Sequence, residues 1–227
     1  MSIELDGYKG LNKINIPNLN IEDNSESLSD LEKIVESSEN WNKVQSLLMS
    51  KPDSGWIQTY TGIKFFPLHP KNEDISIEDI AHALSMQCRF TGHVKKFYSI
   101  AQHSVYVSYL CDESDALYGL LHDASEAYVS DVSSPLKKLD EFKAYMNIEK
   151  ILQNKIYESF GLDANTPKSV KKADLVMLAT EARDLMSPIH SDWRNMEEPY
   201  LFSINPLSPE ESKEIFLKRF EQLYGKK

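Results

Sequence analysis

Three ionisable side chains fall within five residues of the segment LLHDASEAYVSD, residues 120–131: His122, Asp123 and Glu126. On a helix, Glu126 stands three and four positions after the other two, so all three project toward one point. Such a group beside Leu120 and Leu121 calls for a partner or a metal, because unpaired charge next to apolar surface is costly. Two further residues extend it: His103 among Ala101, Val105 and Val107, and Asp174 between Val170 and the run Leu175, Val176, Leu178. Two imidazoles and two carboxylates make an N₂O₂ donor set of borderline softness, suited to Mn, Fe, Co, Ni or Zn, with Mg as a harder option, rather than to Ca. Read from residue types alone, the segment also fits a solvated helical face with a chance His-Asp pair.

The elements that must position these groups are helical. Ser76 followed by Glu78 and Asp79 is an N-terminal capping signal ahead of Ile80, Ala81 and Leu84. Apolar spacing predicts further helices over about 99–111, 114–128, 140–160, 167–186 and 209–223. Gly161 closes one of them, while Pro167 and Pro209 sit near the starts of two others, where a missing amide proton costs little. Loops are expected at 89–98, 129–138 and 187–206, and Trp56–Pro70 reads as an extended segment or short hairpin. The expectation is an all-α fold, a compact bundle of six or more helices over residues 55–227. Residues 1–54 differ, with 10 acidic against 5 basic residues and no His, Cys or Arg. They are read as a partly ordered extension in which Ser27–Met49 carries helical apolar spacing.

Bulk properties bound the function. With 25 basic and 35 acidic residues the net charge is −10, which disfavours a long, sequence-blind nucleic-acid surface. A small anion held by a few local cations remains open. Cys88 and Cys111 are too isolated for a disulfide framework and are read as reduced, buried thiols of a cytoplasmic protein. The acidic opening lacks the basic start of a secretory leader, and no run of about 18 apolar residues occurs, so neither export nor membrane insertion is expected.

The order His103, His122-Asp123, Asp174 resembles the signature of the HD-domain metal-dependent phosphohydrolases. The likeness spans roughly 56–186, through IEDIAHALS at 77–85, CRFTGH at 88–93, YSIAQHSV at 98–105, LLHDASEAYVSDVSSPLK at 120–137 and ADLVMLATEARDL at 173–185. It is nearest to the bacterial 5'-deoxynucleotidases and the phage dATP triphosphohydrolases. Ala127 after Glu126 breaks the acidic pair of the ppGpp hydrolases, and the Gly-Tyr-Pro element of cyclic-dinucleotide phosphodiesterases is missing.

The resemblance implies that His103, His122, Asp123 and Asp174 hold a divalent metal that activates a water for attack on phosphorus, releasing nucleoside from a 5'-nucleotide. Glu126 would orient or protonate groups near the metal, and Asp131 would donate a proton to the leaving oxygen. Asp131 also reads as a turn carboxylate beside Ser130 and Ser133. Arg89 offers phosphate a fork of donors and Lys137 a point charge. Phe90 stands where the nucleotidases place Trp, and His93 is either a phosphate contact or a loop histidine. His82 reads as a core histidine, Glu181 and Arg183 as residues that build a supporting or inter-helix ion pair, and the Tyr and Met residues as ordinary core. The substrate stays open between monophosphate and triphosphate. A homo-oligomer is implied by resemblance, and a nucleotide-binding regulatory module without turnover is the alternative function.

Overall fold

The computed structural model describes residues 55–190, 193 and 196–225. The expected extension, residues 1–54 with its Ser27–Met49 segment, lies outside the described residues. The fold is all-α apart from one hairpin, in which β1 (Ile57–Gln58) pairs antiparallel with β2 (Lys64–Phe65). The helices are α1 (Ile77–Met86), α2 (Ile100–Leu110), α3 (Ala116–Leu121), α4 (Glu126–Val129), α5 (Ser134–Lys137), α6 (Lys143–Ser159), α7 (Lys168–Leu185) and α8 (Pro209–Tyr224).

Local chemistry explains where these elements begin. The Ser76 hydroxyl accepts the Glu78 amide, Ser99 accepts the Gln102 amide, and Ser208 forms a reciprocal capping box with Glu211 ahead of α8. The hairpin is tied to α1 by buried Asp79, whose carboxylate takes the Thr61 amide at 2.7 Å and hydroxyl at 2.8 Å. One apolar core joins α1, α2, α3, α6 and α8 through Ile80, Leu84, Val105, Leu120, Leu152, Ile156 and Phe216. A second, smaller core packs α7 on α2 through Tyr98, Val107, Val170, Met177 and Leu185. Helices α2 and α3 approach closely at Gly119, where an added Cβ would come within 2.8 Å of Cys111 Sγ and 3.0 Å of the Ser108 backbone.

Four expectations need correction. The helix expected over 114–128 is interrupted: α3 stops at Leu121, residues 122–125 are turns, and α4 is a single turn. The expected 129–138 loop contains the short helix α5. His82 is half-buried and stacks on the Tyr60 ring at 3.7 Å, rather than sitting in the core. Cys88 and Cys111 are free, as expected, but half-buried.

Candidate metal centre

α2 contributes His103, α3 ends on His122, the turn that follows carries Asp123, and α7 contributes Asp174. Ligand atoms of His103, His122 and Asp123 all lie within 4.8 Å of one another. The two Nε2 atoms are 3.3 Å apart. Asp123 Oδ2 is 3.2 Å from His122 Nε2, and Asp174 Oδ1 is 3.2 Å from His103 Nε2 and 3.9 Å from His122 Nε2. Metal bonds of about 2.1 Å at right angles set neighbouring donors about 3.0 Å apart, and a tetrahedral set about 3.4 Å. The spacings of His103, His122 and Asp123 fit one divalent ion, with Asp174 beside the two imidazoles.

Both imidazoles are oriented from behind. His122 Nδ1 donates to the Gly119 carbonyl at 2.8 Å, and His103 Nδ1 donates to Glu181 Oε1 at 2.6 Å. With each Nδ1 carrying a hydrogen, each Nε2 turns its lone pair toward the shared point. Two lone pairs facing at 3.3 Å need a cation between them. Without metal that cation is a proton: burial opposes charge on His122, yet Asp123 and Asp174 outweigh it and raise its pKa to about 9. Asp123 is held well below the usual carboxylate range, with burial overcome by His122, His103 and Arg89.

Glu181 is fully buried, seven residues after Asp174 on α7. Besides His103 it takes Arg89, with Nε and Nη2 both at 3.1 Å from Oε2. Burial alone would keep it protonated; Arg89 and His103 reverse that and lower its pKa. Arg89 is nearly buried and reaches Asp123 with Nη1 at 3.6 Å. The guanidinium therefore sits among carboxylates at the back of the centre, not as an open phosphate fork. Glu181 thus makes the supporting inter-helix ion pair expected of it, whereas Arg183 binds Asp184 beside it and the carbonyls of Tyr200 and Phe202.

Glu126 is buried, and burial with the nearby charges of Asp123 and Asp131 pushes its carboxyl up to about 10. Lys137 binds Glu149 at 2.8 Å and approaches Glu126 at 3.8 Å. Asp131 is exposed and follows Ser130, whose φ of 66° and ψ of 160° lie in a region proper to glycine. The Tyr145 hydroxyl holds that residue by donating to its carbonyl at 2.6 Å. Phe90 and Thr91 take left-handed φ values of 55° and 53°, and the Phe90 ring lies 5.3 Å from the Arg89 guanidinium carbon.

His93 lies elsewhere. It is exposed and lines a pocket of about 500 Å³ with Val94, Lys95, Met186, Ile189 and Trp193, to which none of the four candidate ligands contributes. Four polar residues that periodicity did not single out support the centre: Gln87, Tyr145, Glu149 and Gln153. Gln87 donates to the Glu126 carbonyl at 2.9 Å, and Tyr145, Glu149 and Gln153 recur every four residues along α6, on its single face toward this segment. That i, i+4, i+8 polar stripe was the available signal.

No helix among the described residues is long and apolar enough to cross a membrane. No family model matches the chain. It is 40% identical over 171 residues to the Escherichia coli protein YfdR, a match covering 74% of this chain and 95% of that protein. It is 32% identical over 143 residues to the Rhodobacter capsulatus protein RCAP_rcc00048, covering 57% of this chain and 72% of the relative. Identity at that level over nearly the whole of YfdR shows that the chain belongs to the family of YfdR and RCAP_rcc00048.

Proposed function

We propose that the chain is an HD-type metal-dependent phosphohydrolase that cleaves the 5'-phosphate ester of a small nucleotide, a deoxynucleoside monophosphate in the first instance. The observation that carries the reading is the pair of Nε2 atoms facing each other at 3.3 Å, with a carboxylate oxygen 3.2 Å from each. A divalent ion bound there supplies a Lewis acid for a phosphoryl oxygen and an acidified water. Glu126, raised to about 10, keeps its proton at neutral pH, as a general acid requires. Asp131, exposed beyond the fixed Ser130 peptide and close enough to Glu126 to raise its pKa, is the residue we assign to protonating the leaving oxygen. Arg89 and Lys137 are each already matched by two carboxylates. That balance leaves neither of them free for a triphosphate tail, and we take the less charged monophosphate over the dATP-like alternative.

The test is product analysis with Mn, Co, Zn or Mg and each deoxynucleoside mono- and triphosphate. Orthophosphate from a monophosphate is expected; triphosphate release would move the reading to the other branch. No product, with saturable nucleotide binding, would leave the regulatory module. Asp123→Ala should abolish metal binding and turnover together, whereas Glu126→Ala should cut turnover while most metal stays bound. Full turnover by the Glu126 variant would remove its assigned role.

A further inference from the structure

The break in the His-Asp helix has an identifiable cause. In an uninterrupted helix the Ser125 amide would donate to the Leu121 carbonyl, four residues earlier. The carboxamide of Gln153 on α6 stands between them: its Oε1 accepts from the Ser125 amide at 3.0 Å and its Nε2 donates to the Leu121 carbonyl at 2.7 Å. A side chain inserted into the helical ladder is a known source of a sharp break. The backbone then continues through tighter bonds three residues apart, Ala124 to Leu121 and Glu126 to Asp123, both 3.0 Å. Gln153 cannot drift from this position, because Leu152 and Ile156 beside it are fully buried in the larger core.

The break matters because His122 and Asp123 are adjacent. Neighbouring residues of a regular α-helix do not face each other, yet His122 Nε2 and Asp123 Oδ2 are 3.2 Å apart and turned to one point. We propose that Gln153 is a positioning residue for the metal site, its carboxamide holding open the Leu121–Ser125 step so that both members of the His122–Asp123 pair face His103 and Asp174. This rests on the metal reading above. Gln153 touches neither metal nor substrate; it acts through the backbone on either side of the ligands.

The experiment uses the full chain with Gln153→Ala, which lets the Ser125–Leu121 bond close, and Gln153→Glu, which keeps an acceptor for Ser125 but opposes the Leu121 carbonyl. Zn(II) affinity is measured by calorimetry, Co(II) coordination by its visible absorption, and folding by melting of the metal-free protein. Supporting groups of metal ligands typically carry about ten- to hundredfold in affinity. Gln153→Ala is expected to lose about that much and to change the Co(II) spectrum while the metal-free protein still melts cooperatively, with Gln153→Glu intermediate. A purely structural role would lower the melting temperature and leave the Co(II) spectrum of the folded protein unchanged, which would overturn the proposal. Unchanged Zn(II) affinity in both variants, with a wild type that binds, would also overturn it and leave the metal reading standing. A wild type that binds no more Zn(II) than Asp123→Ala would overturn both.

Discussion

Replacing Glu181 by glutamine keeps the shape of the side chain and removes its charge. The carboxylate sits at zero exposure between His103 Nδ1 at 2.6 Å and two Arg89 nitrogens at 3.1 Å. Its removal strands the Arg89 guanidinium, nearly buried, with Asp123 at 3.6 Å as its remaining partner. Breaking a buried ion pair from one side costs about 3–5 kcal/mol, whereas replacing both partners by uncharged groups is often close to neutral. For a chain of this size about 2–4 °C accompanies each kcal/mol, so Glu181→Gln should melt about 6–20 °C lower. Arg89→Met should cost less, because Glu181 retains His103, and the double variant should melt near the Arg89→Met value. The assay is a double-mutant cycle by calorimetric melting of metal-free protein, with Zn(II) affinity measured alongside. In Glu181→Gln the stranded guanidinium draws toward Asp123, a candidate ligand, so affinity should fall by about tenfold or more. A loss below about 1 kcal/mol in the single variant, or a double variant less stable than Glu181→Gln, would refute the reasoning.

Two further predictions concern protons and packing. His122 titrates near 9 in the metal-free fold against about 6.5 unfolded. Its contribution to metal-free stability is therefore complete below about pH 6.5 and lost as pH rises through 9. Metal must displace that proton, so Zn(II) affinity should climb about tenfold per pH unit between 7 and 9, and calorimetry in buffers of different ionisation enthalpy should count the proton released. Gly119→Ala should cost about 1–3 kcal/mol by pressing a methyl against the Ser108 backbone, read as a lower melting temperature. It should also weaken Zn(II) binding, because the Gly119 carbonyl orients His122.

The parts of this molecule that were legible in its sequence are those set by neighbours along the chain. Ser76 and Pro209 mark helix starts because a cap or a first-turn proline depends only on the next few amides. The four candidate ligands stand out because ionisable groups inside apolar helical patterns need an explanation; the fold gathers His103, His122 and Asp123 and sets Asp174 beside the two imidazoles. What escaped depends on distant partners. The break after Leu121 is made by a carboxamide more than thirty residues downstream, and helical periodicity through 114–128 hides it. Arg89 is an open cation in the sequence and a paired one in the fold because Glu181, ninety-two residues later, lies beside it. Phe90 and Thr91 carry no glycine-like signal for their left-handed turn, which is held by the bridge between Cys88 and Ser99 and by bonds from Gly92 and His93 back into the turn.

The close approach of α2 and α3 at Gly119 places a chemical clock inside the protein. Cys111 Sγ lies against that contact, and burial pushes its thiol up to about 11. A thiol reagent needs both access and thiolate; Cys111 is half-buried, so in a Cys88→Ser background its alkylation is slowed by the raised pKa and hastened by any parting of the two helices. The part of that rate that responds to the helix contact reports local motion, not global unfolding. His103 rides on one of the two helices and His122 follows the last residue of the other, so an ion joining them would slow the clock. Occupancy of the centre would thus become readable in the folded variant by mass spectrometry, with no substrate present.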